Sequence, residues 1–234
     1  MSSCDFRFQG LELVARPSGA LFWPARRTLV VADLHLGKSE RLARRRGVLL
    51  PPFESQATLE RLQNELQACE AECLICLGDS FDDDLASQTL GSAQDLLEAI
   101  CKRHHTFWIT GNHDANLTTL SGQICNELAL EGVTFRHVAG NDVDISGHYH
   151  PKFKLLGRRI PAFLLGPSNL ILPAFGAYTG GLDHDAPVLA RLIPSGFAIL
   201  TGQTARMLPF APDLPARGHR RATLPAARRR QDIL

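Results

Sequence analysis

The segment RTLVVADLH (residues 27–35) decides the fold class, because an apolar run in it ends directly on polar side chains. This run predicts a buried strand that ends at Asp33 to His35. Two later segments repeat the pattern: CLICLGD (73–79) and HTFWITGNHD (105–114). We therefore predict three strands, each followed by a polar loop.

Helical segments separate the three strands. Apolar residues recur at three- and four-residue steps in residues 53–71, and residues 85–103 also read as a helix with one apolar face. Beyond residue 125 the pattern changes to short β-like runs: GVTFRHV, DVDIS, FKLL, AFLLG, NLILPAF, VLARLI and FAIL. This order predicts a mixed α/β layered domain, with strands in two sheets and helices outside.

The composition indicates a cytoplasmic protein. The 234 residues are 44% hydrophobic and 21% charged, which is ordinary for a globular chain. No apolar segment is long enough to span a membrane, and no secretory signal is visible at the start. The six cysteines fit that compartment. The pair Cys73 and Cys76 has metal or redox spacing, but it lies within an apolar strand and no second pair accompanies it, so we interpret these two cysteines as core thiols.

The charge is unevenly distributed along the chain. Residues 204–234 hold seven arginines against Asp213 and Asp232, a formal +5, whereas the first 203 residues carry a formal −4. We divide the chain into a domain over residues 1–209 and an irregular Pro/Arg-rich tail over residues 210–234. Such a tail either contacts nucleic acid or is a solvated, flexible end.

Polar side chains gather where the predicted strands end, and these loops are expected to converge. In SGHYH, His148 and His150 project to the same side of an extended chain, either as metal ligands or as a polar surface pair. Carboxylate, imidazole and amide groups together suit manganese, iron or zinc. The residues at these positions are Asp33, His35, Asp79, Asn112, His113, His148 and His150.

Four of these segments together resemble a known family. ADLH, LGDSFDD, TGNHD and SGHYH are similar, in this order, to the metal-binding blocks of the calcineurin-like metallophosphoesterases. The resemblance implies a four-layer αββα sandwich with two mixed β-sheets and a binuclear metal centre.

The resemblance also implies a role for each residue in the blocks. Asp33, His35 and His150 would bind one metal ion, and Asp79 would bridge the two ions. Asn112 and His148 would bind the second ion. The family has an isolated metal-binding histidine between the third and last blocks, and His137 stands alone at that place. It either binds metal in that way or is a strand-edge histidine.

The chemistry implied is hydrolysis by a hydroxide that two metal ions activate. His113 would be the general acid that protonates the leaving oxygen. Asp82 matches the carboxylate that orients this histidine and favours its protonated form. Asp83 and Asp84 are alternatives to Asp82, or belong to a solvated acidic loop.

Two flanking segments narrow the resemblance. ADLHLGKSERLARRRGVLLPP and LPAFGAYTGG (172–181) are similar to bacterial metallophosphoesterases associated with DNA ligase and helicase repair clusters. These are described as manganese-dependent endonucleases of single-stranded DNA. The similarity implies Mn²⁺ as the metal, with Fe²⁺ or Zn²⁺ as alternatives. It also implies a DNA substrate and a functional link to a ligase and a helicase. Asp83 stands where the protein phosphatases of the superfamily carry an arginine, which argues against that branch.

A basic run beginning three residues after His35 predicts a substrate contact. Lys38, Arg44 and Arg45 could hold the DNA backbone beside the scissile phosphate, or could form a solvated helix face. Tyr178 is either a stacking surface for an unpaired base or a packed side chain.

The predicted function is therefore DNA phosphodiester hydrolysis in DNA repair. The alternative is a small-molecule phosphatase or a cyclic-nucleotide phosphodiesterase with the same centre. A non-catalytic scaffold would lack ligands, and none is missing from the blocks.

Overall fold

Two β-sheets pack face to face, and helices cover their outer faces. The computed structural model describes residues 2–47, 53–83, 90–114 and 121–211. Within these residues no helix is both long and apolar enough to cross a lipid bilayer.

The first sheet contains seven strands in the order of the chain. Its first four strands are antiparallel to one another, and the fourth to the seventh are parallel. The strands are β1 (Cys4–Phe8), β2 (Leu11–Ala15), β3 (Leu21–Trp23), β4 (Thr28–Val31), β5 (Cys73–Leu77), β6 (His105–Ile109) and β7 (Gln123–Cys125). The parallel half brings the ends of β4, β5 and β6 to one edge, as the three repeated segments predict.

The second sheet is also mixed and has the order β15-β14-β12-β13-β10-β9-β8, with β11 paired to β12. Its strands are β8 (Glu127–Leu130), β9 (Val133–Arg136), β10 (Asp144–Ser146), β11 (Lys152–Leu155), β12 (Arg158–Leu165), β13 (Asn169–Ile171), β14 (Gly196–Leu200) and β15 (Arg206–Phe210). The central strand β10 is parallel to both of its neighbours, whereas the remaining pairs are antiparallel.

The helices follow the apolar periodicity of the chain. The described helices are α1 (Lys38–Arg46), α2 (Glu54–Ala68), α3 (Ser92–Arg103) and α4 (Pro187–Leu192), with a short 3-10 helix at Pro24–Arg26. In α2 the residues Leu59, Leu62 and Leu66 recur at three- and four-residue steps, and all three are buried. This stripe packs on the first sheet, so burial of one face stabilises the helix.

Alternation along the strands divides the core into three layers. In β5, Leu74 and Cys76 face the helices, whereas Ile75 and Leu77 face the second sheet. The same alternation in β12 sends Phe163 between the sheets and Leu164 towards α4. Three apolar layers between four layers of secondary structure confirm the predicted αββα sandwich with two mixed sheets.

One β-like run is a helix. VLARLI, predicted as a strand, lies in α4 and its end. Pro187 stands in its first turn, where its fixed φ suits a helix. Leu189 and Ile193, four residues apart, are both buried against the second sheet. Helical spacing of the buried residues therefore overrides the β-branched composition.

The first residue of the predicted tail, Phe210, is the last residue of β15. Pro209 lies within β15, which is the edge strand of the second sheet. An edge strand tolerates proline because one of its sides has no strand partner. Residues 212–234 of the tail lie outside the described residues, as do Asp84 and the first residues of the predicted helix 85–103.

Phe163→Ala tests the packing between the sheets. This side chain is fully buried in the inter-sheet layer, so we expect a loss of about 3–5 kcal/mol in the free energy of unfolding. Phe197→Ala is the control, because Phe197 lies on the neighbouring strand and is 44% exposed; it should cost about 0.5 kcal/mol. Denaturant unfolding measures both, and equal losses would contradict the layer assignment.

Candidate metal centre

The site forms where the loops after β4 and β5 run side by side. The main-chain N–H of Asp33 donates to the oxygen of Gly78 (3.2 Å), and that of His35 donates to the oxygen of Asp79 (2.9 Å). These bonds continue the parallel pairing of the two strands beyond their ends. The predicted convergence of strand-end side chains follows from this continued register.

A first group of donors is formed by Asp33, His35 and His150. The Nε2 atoms of the two histidines lie 3.4 Å apart, and Nε2 of His150 lies 3.2 Å from Oδ1 of Asp33. The side chains of Asp33 and His35 are buried, so this group is closed to solvent on one side.

A second group of donors is formed by Asp79, His137 and His148. Nδ1 of His148 lies 3.1 Å from Nε2 of His137, and that atom lies 3.5 Å from Oδ2 of Asp79. The structure thus brings His137 to the group that contains the other candidate ligands. This carboxylate oxygen also lies 4.0 Å from Nε2 of His35, so Asp79 stands between the two groups.

The spacing of the donor atoms fits metal ions. Two ligands about 2.1 Å from a tetrahedral ion lie about 3.4 Å apart, close to the separations within each group. Imidazole nitrogens that converge at such distances, next to carboxylate oxygens, form a donor set suited to first-row divalent metals. The two groups can therefore hold two ions, with Asp79 placed to contact both.

Neighbouring groups fix the orientation of the histidines. The main-chain oxygen of Leu77 lies 2.9 Å from Nδ1 of His137 and accepts a hydrogen bond from it. The ring proton is therefore on Nδ1, and the lone pair of Nε2 is free to bind a metal ion. Nδ1 of His35 lies 3.0 Å from Oδ1 of Asp82, and the negative charge of that carboxylate favours a proton on Nδ1. In both rings Nε2 is the atom that belongs to the donor group.

The electrostatics of the second group favour an ionised carboxylate. Burial opposes ionisation of Asp79, but His137 and the main-chain N–H of His113 bond to it and hold its pKa well below its usual range. Burial likewise opposes protonation of His137, but the bond and charge of Asp79 prevail and raise its pKa. Burial and the proximity of His137 lower the pKa of His148. The negative charge of the Asp79 carboxylate would favour a cation bound between these residues.

The candidate ligands sit on strained backbone. Five of them have positive φ angles between 46° and 69°: Asp33, His35, Asp79, His148 and His150. Left-handed backbone costs about 1–3 kcal/mol at a residue other than glycine. Strain repeated at five converging positions is typical of a site in which function fixes the geometry.

Asn112 and His113 lie at the mouth of the second group. Nδ2 of Asn112 is 3.5 Å from Nδ1 of His148, so its amide lies next to this group. Nδ1 of His113 lies 3.1 Å from the main-chain oxygen of Asp82, and its ring stands edge-on to that of His35 at 5.6 Å between centroids.

The carboxylate of Asp82 does not orient His113 as predicted. It contacts His35 and Arg41, whereas only its main-chain oxygen meets His113. Burial opposes ionisation of Asp82, but the bonds to His35 and Arg41 outweigh burial and lower its pKa. Asp82 and His113 are therefore in contact, but through the main-chain oxygen of Asp82. The carboxylate of Asp82 instead contacts His35, a candidate metal ligand.

The predicted substrate-binding residues of α1 are paired with acidic side chains. Arg44 lies 2.5 Å and Arg45 3.4 Å from a carboxylate oxygen of Asp83, and Lys38 lies 3.9 Å from one of Asp82. The helix therefore starts beside the site, as predicted, but part of its positive charge is already neutralised.

One buried residue of the site has no role predicted from the sequence. The carboxylate of Asp114 accepts hydrogen bonds from the main-chain N–H groups of Gly111 (3.0 Å) and Phe81 (3.1 Å), and burial raises its pKa. It joins the loop after β6 to the loop after β5. The TGNHD motif, whose last residue is Asp114, is the signal in the sequence that could have identified this residue.

Comparison with known proteins agrees with this geometry. The sequence profile of the calcineurin-like phosphoesterases matches residues 26–166. The chain is similar to the crystal structure of Pseudomonas putida nuclease MPE, with 30% identity and a TM-score of 0.71 over 89% of this chain and 100% of that one. It also matches Yfce, a phosphoesterase from E. coli, with 15% identity and a TM-score of 0.43 over 77% of this chain and 97% of that one. Among curated proteins there is no significant match.

Gly78→Ala tests the second donor group. Gly78 has φ +79°, and a Cβ there would overlap the ring of His137, so we expect the variant to displace that ring and lose metal. Gly10→Ala is the control, because Gly10 has φ +82° but open space around it. Both variants should lose about 1–2 kcal/mol through backbone strain. Elemental analysis of metal-loaded protein should show less metal per chain only in Gly78→Ala; equal metal content would exclude the role of His137.

Proposed function

The chain belongs to the calcineurin-like phosphoesterase family, and from this premise we propose that it is a binuclear metal-dependent phosphodiesterase that cleaves DNA, with a preference for single strands. The observation that carries the proposal is the placement of Asp79 between two groups of converging carboxylate and imidazole donors. Phosphoester hydrolysis follows from the family, whereas the DNA substrate and a role in repair are the proposed part.

The donor set supports two divalent cations. Asp33, His35 and His150 would hold one ion, Asn112, His137 and His148 the other, and Asp79 both. Bound ions of this kind supply Lewis-acid stabilisation of the phosphate and lower the pKa of water. Oxygen and imidazole donors without thiolate accept Mn²⁺, Fe²⁺ and Zn²⁺, and of these we propose Mn²⁺, the metal that the resemblance of the sequence implies.

His113 would act as the general acid. The main-chain oxygen of Asp82 accepts a hydrogen bond from Nδ1, so Nε2 is the nitrogen that can deliver a proton to a leaving oxygen. The main-chain N–H of His113 donates to Oδ1 of Asp79 (3.0 Å). This bond fixes the histidine relative to the metal donors while its ring stays outside both donor groups.

Three features support DNA as the substrate. The similar P. putida protein is the nuclease MPE. Helix α1 begins beside the centre and carries Lys38, Arg44 and Arg45, which can exchange their acidic partners for phosphates. Tyr178 is 48% exposed on left-handed backbone (φ 54°), which suits a stacking surface for an unpaired base.

Metal dependence on defined DNA is the experiment that tests the function. Chelated protein should leave labelled single-stranded DNA intact, and added Mn²⁺ should restore cleavage more than Mg²⁺ or Zn²⁺, because the donors mix carboxylates with imidazoles. Double-stranded DNA of the same sequence should be cut more slowly. Asp79→Ala, purified in parallel, is the matched inactive control. Full activity in the metal-free protein would contradict the proposal.

His113→Ala separates the general acid from the metal donors. On DNA, whose leaving alkoxide needs a proton, we expect a loss of about 10²–10⁴-fold in turnover. On bis(p-nitrophenyl) phosphate, whose nitrophenolate needs little protonation, the loss should be much smaller. Metal content should stay unchanged.

His105→Ala is the control for that experiment, because His105 is exposed on β6. It should match the parent protein on both substrates. Equal losses of His113→Ala on the two substrates, with full metal content and normal melting temperature, would exclude the general-acid role and indicate phosphate binding instead.

A further inference from the structure

A wide groove lies beside the metal centre and is lined by arginines that the sequence did not single out. Its volume is about 1110 Å³, and Arg61, Arg158, Arg159 and Arg206 line it. We call it the arginine groove. These residues come from α2, from β12 and from the start of β15, so three separate elements contribute positive charge.

The groove is joined to the metal centre through one wall. Phe175 and Gly176 line the groove. The main-chain N–H of Phe175 donates to the oxygen of Ala32 (2.8 Å), and that of Gly176 donates to the oxygen of Asp33 (3.1 Å). A ligand in the groove therefore lies against the segment that is bonded directly to a candidate metal ligand.

Arg61 is held at this wall. Its guanidinium lies 4.3 Å from the centroid of the Phe175 ring and donates to the main-chain oxygen of the same residue. The side chain still reaches solvent, while desolvation by the surrounding protein lowers its pKa. The guanidinium has five N–H donors, so donors remain for a ligand.

Three of the four arginines that line the groove have no acidic partner among the described residues, whereas Arg159 is paired with Asp183. Among the described residues, no carboxylate lies within ion-pair distance of Arg61, Arg158 or Arg206. Among the described residues that line the groove, Glu65 is the one acidic residue, and it bonds to Arg16 at 2.7 Å. This contrasts with α1, whose Arg44 is bonded to an acidic residue. The groove therefore carries unpaired positive charge close to the centre.

We propose that the arginine groove binds the sugar-phosphate backbone of the DNA strand on one side of the scissile bond. This inference rests on the proposed function and identifies where its substrate extends. The groove is larger than the roughly 300–1,000 Å³ of small-molecule sites, which favours an extended ligand over a single small anion. Uncharged donors between the arginines, such as Asn64, Gln203 and Thr204, suit the sugars and phosphate oxygens of a strand.

The double variant Arg158→Ala/Arg206→Ala tests the groove. Arg61 is unsuitable, because its bond to Phe175 also supports the wall. The control is Arg103→Ala/Arg191→Ala, which removes the same charge from two exposed arginines that do not line the groove. The metal-loaded parent and both variants are compared on a long labelled single strand, on a thymidine dinucleotide and on bis(p-nitrophenyl) phosphate.

For the groove variant we expect KM for the long strand to rise at least about 10-fold, because two phosphate contacts are lost. The slope of log affinity against log salt should become shallower by about 1.4, at about 0.7 for each contact. Activity on the dinucleotide and on the chromogenic diester should match the parent. The control should match the parent on all three substrates, and melting temperatures should agree.

Each other result overturns a specific statement. A groove variant equal to the control on the long strand would exclude the groove as the DNA path while leaving the proposed function intact. An equal loss on long strand and dinucleotide would mean that the groove holds a single anion next to the reacting phosphate. A parent protein that cleaves the chromogenic diester but neither binds nor cleaves DNA would overturn the proposed function, and the groove assignment with it.

Discussion

Two carboxylates, Asp33 and Asp79, are buried side by side at the ends of adjacent parallel strands, and the rest of the site is arranged around them. Burial of unpaired anions is costly, so each must be compensated locally. Main-chain N–H groups of His148 and His113 donate to them, and imidazoles surround them. The left-handed backbone at both aspartates shows that the fold accepts strain to keep this arrangement, which a pair of bound cations would complete.

The sequence predicted the parts of this arrangement that depend on local pattern. Apolar runs that end on polar residues predicted the ends of β4, β5 and β6, and the parallel register then brought the side chains together. The helix at VLARLI was not predicted, because a run of six residues is too short for its periodicity to distinguish a strand from a helix. Its assignment depends on contact with the second sheet.

Contacts between distant segments are the part that the sequence could not supply. The carboxylate of Asp82 contacts His35 and Arg41, because the loop after β5 is paired with the loop after β4. The spacing of the motif does not show which way this side chain points. The arginine groove combines Arg61 with Arg158 and Arg206, which are far apart in the chain and belong to no common motif. The positive charge visible in the sequence at α1 is partly neutralised by Asp82 and Asp83, whereas the arginines of the groove come together only in the folded chain.

The most direct test of this account is an anomalous difference map from a crystal of the protein soaked with Mn²⁺. The account predicts two peaks about 3.5–4 Å apart, one bonded to Asp33, His35 and His150 and the other to His137 and His148. Asp79 should contact both peaks. A single peak, or two peaks of which only one touches Asp79, would contradict the shared centre on which the proposed chemistry depends.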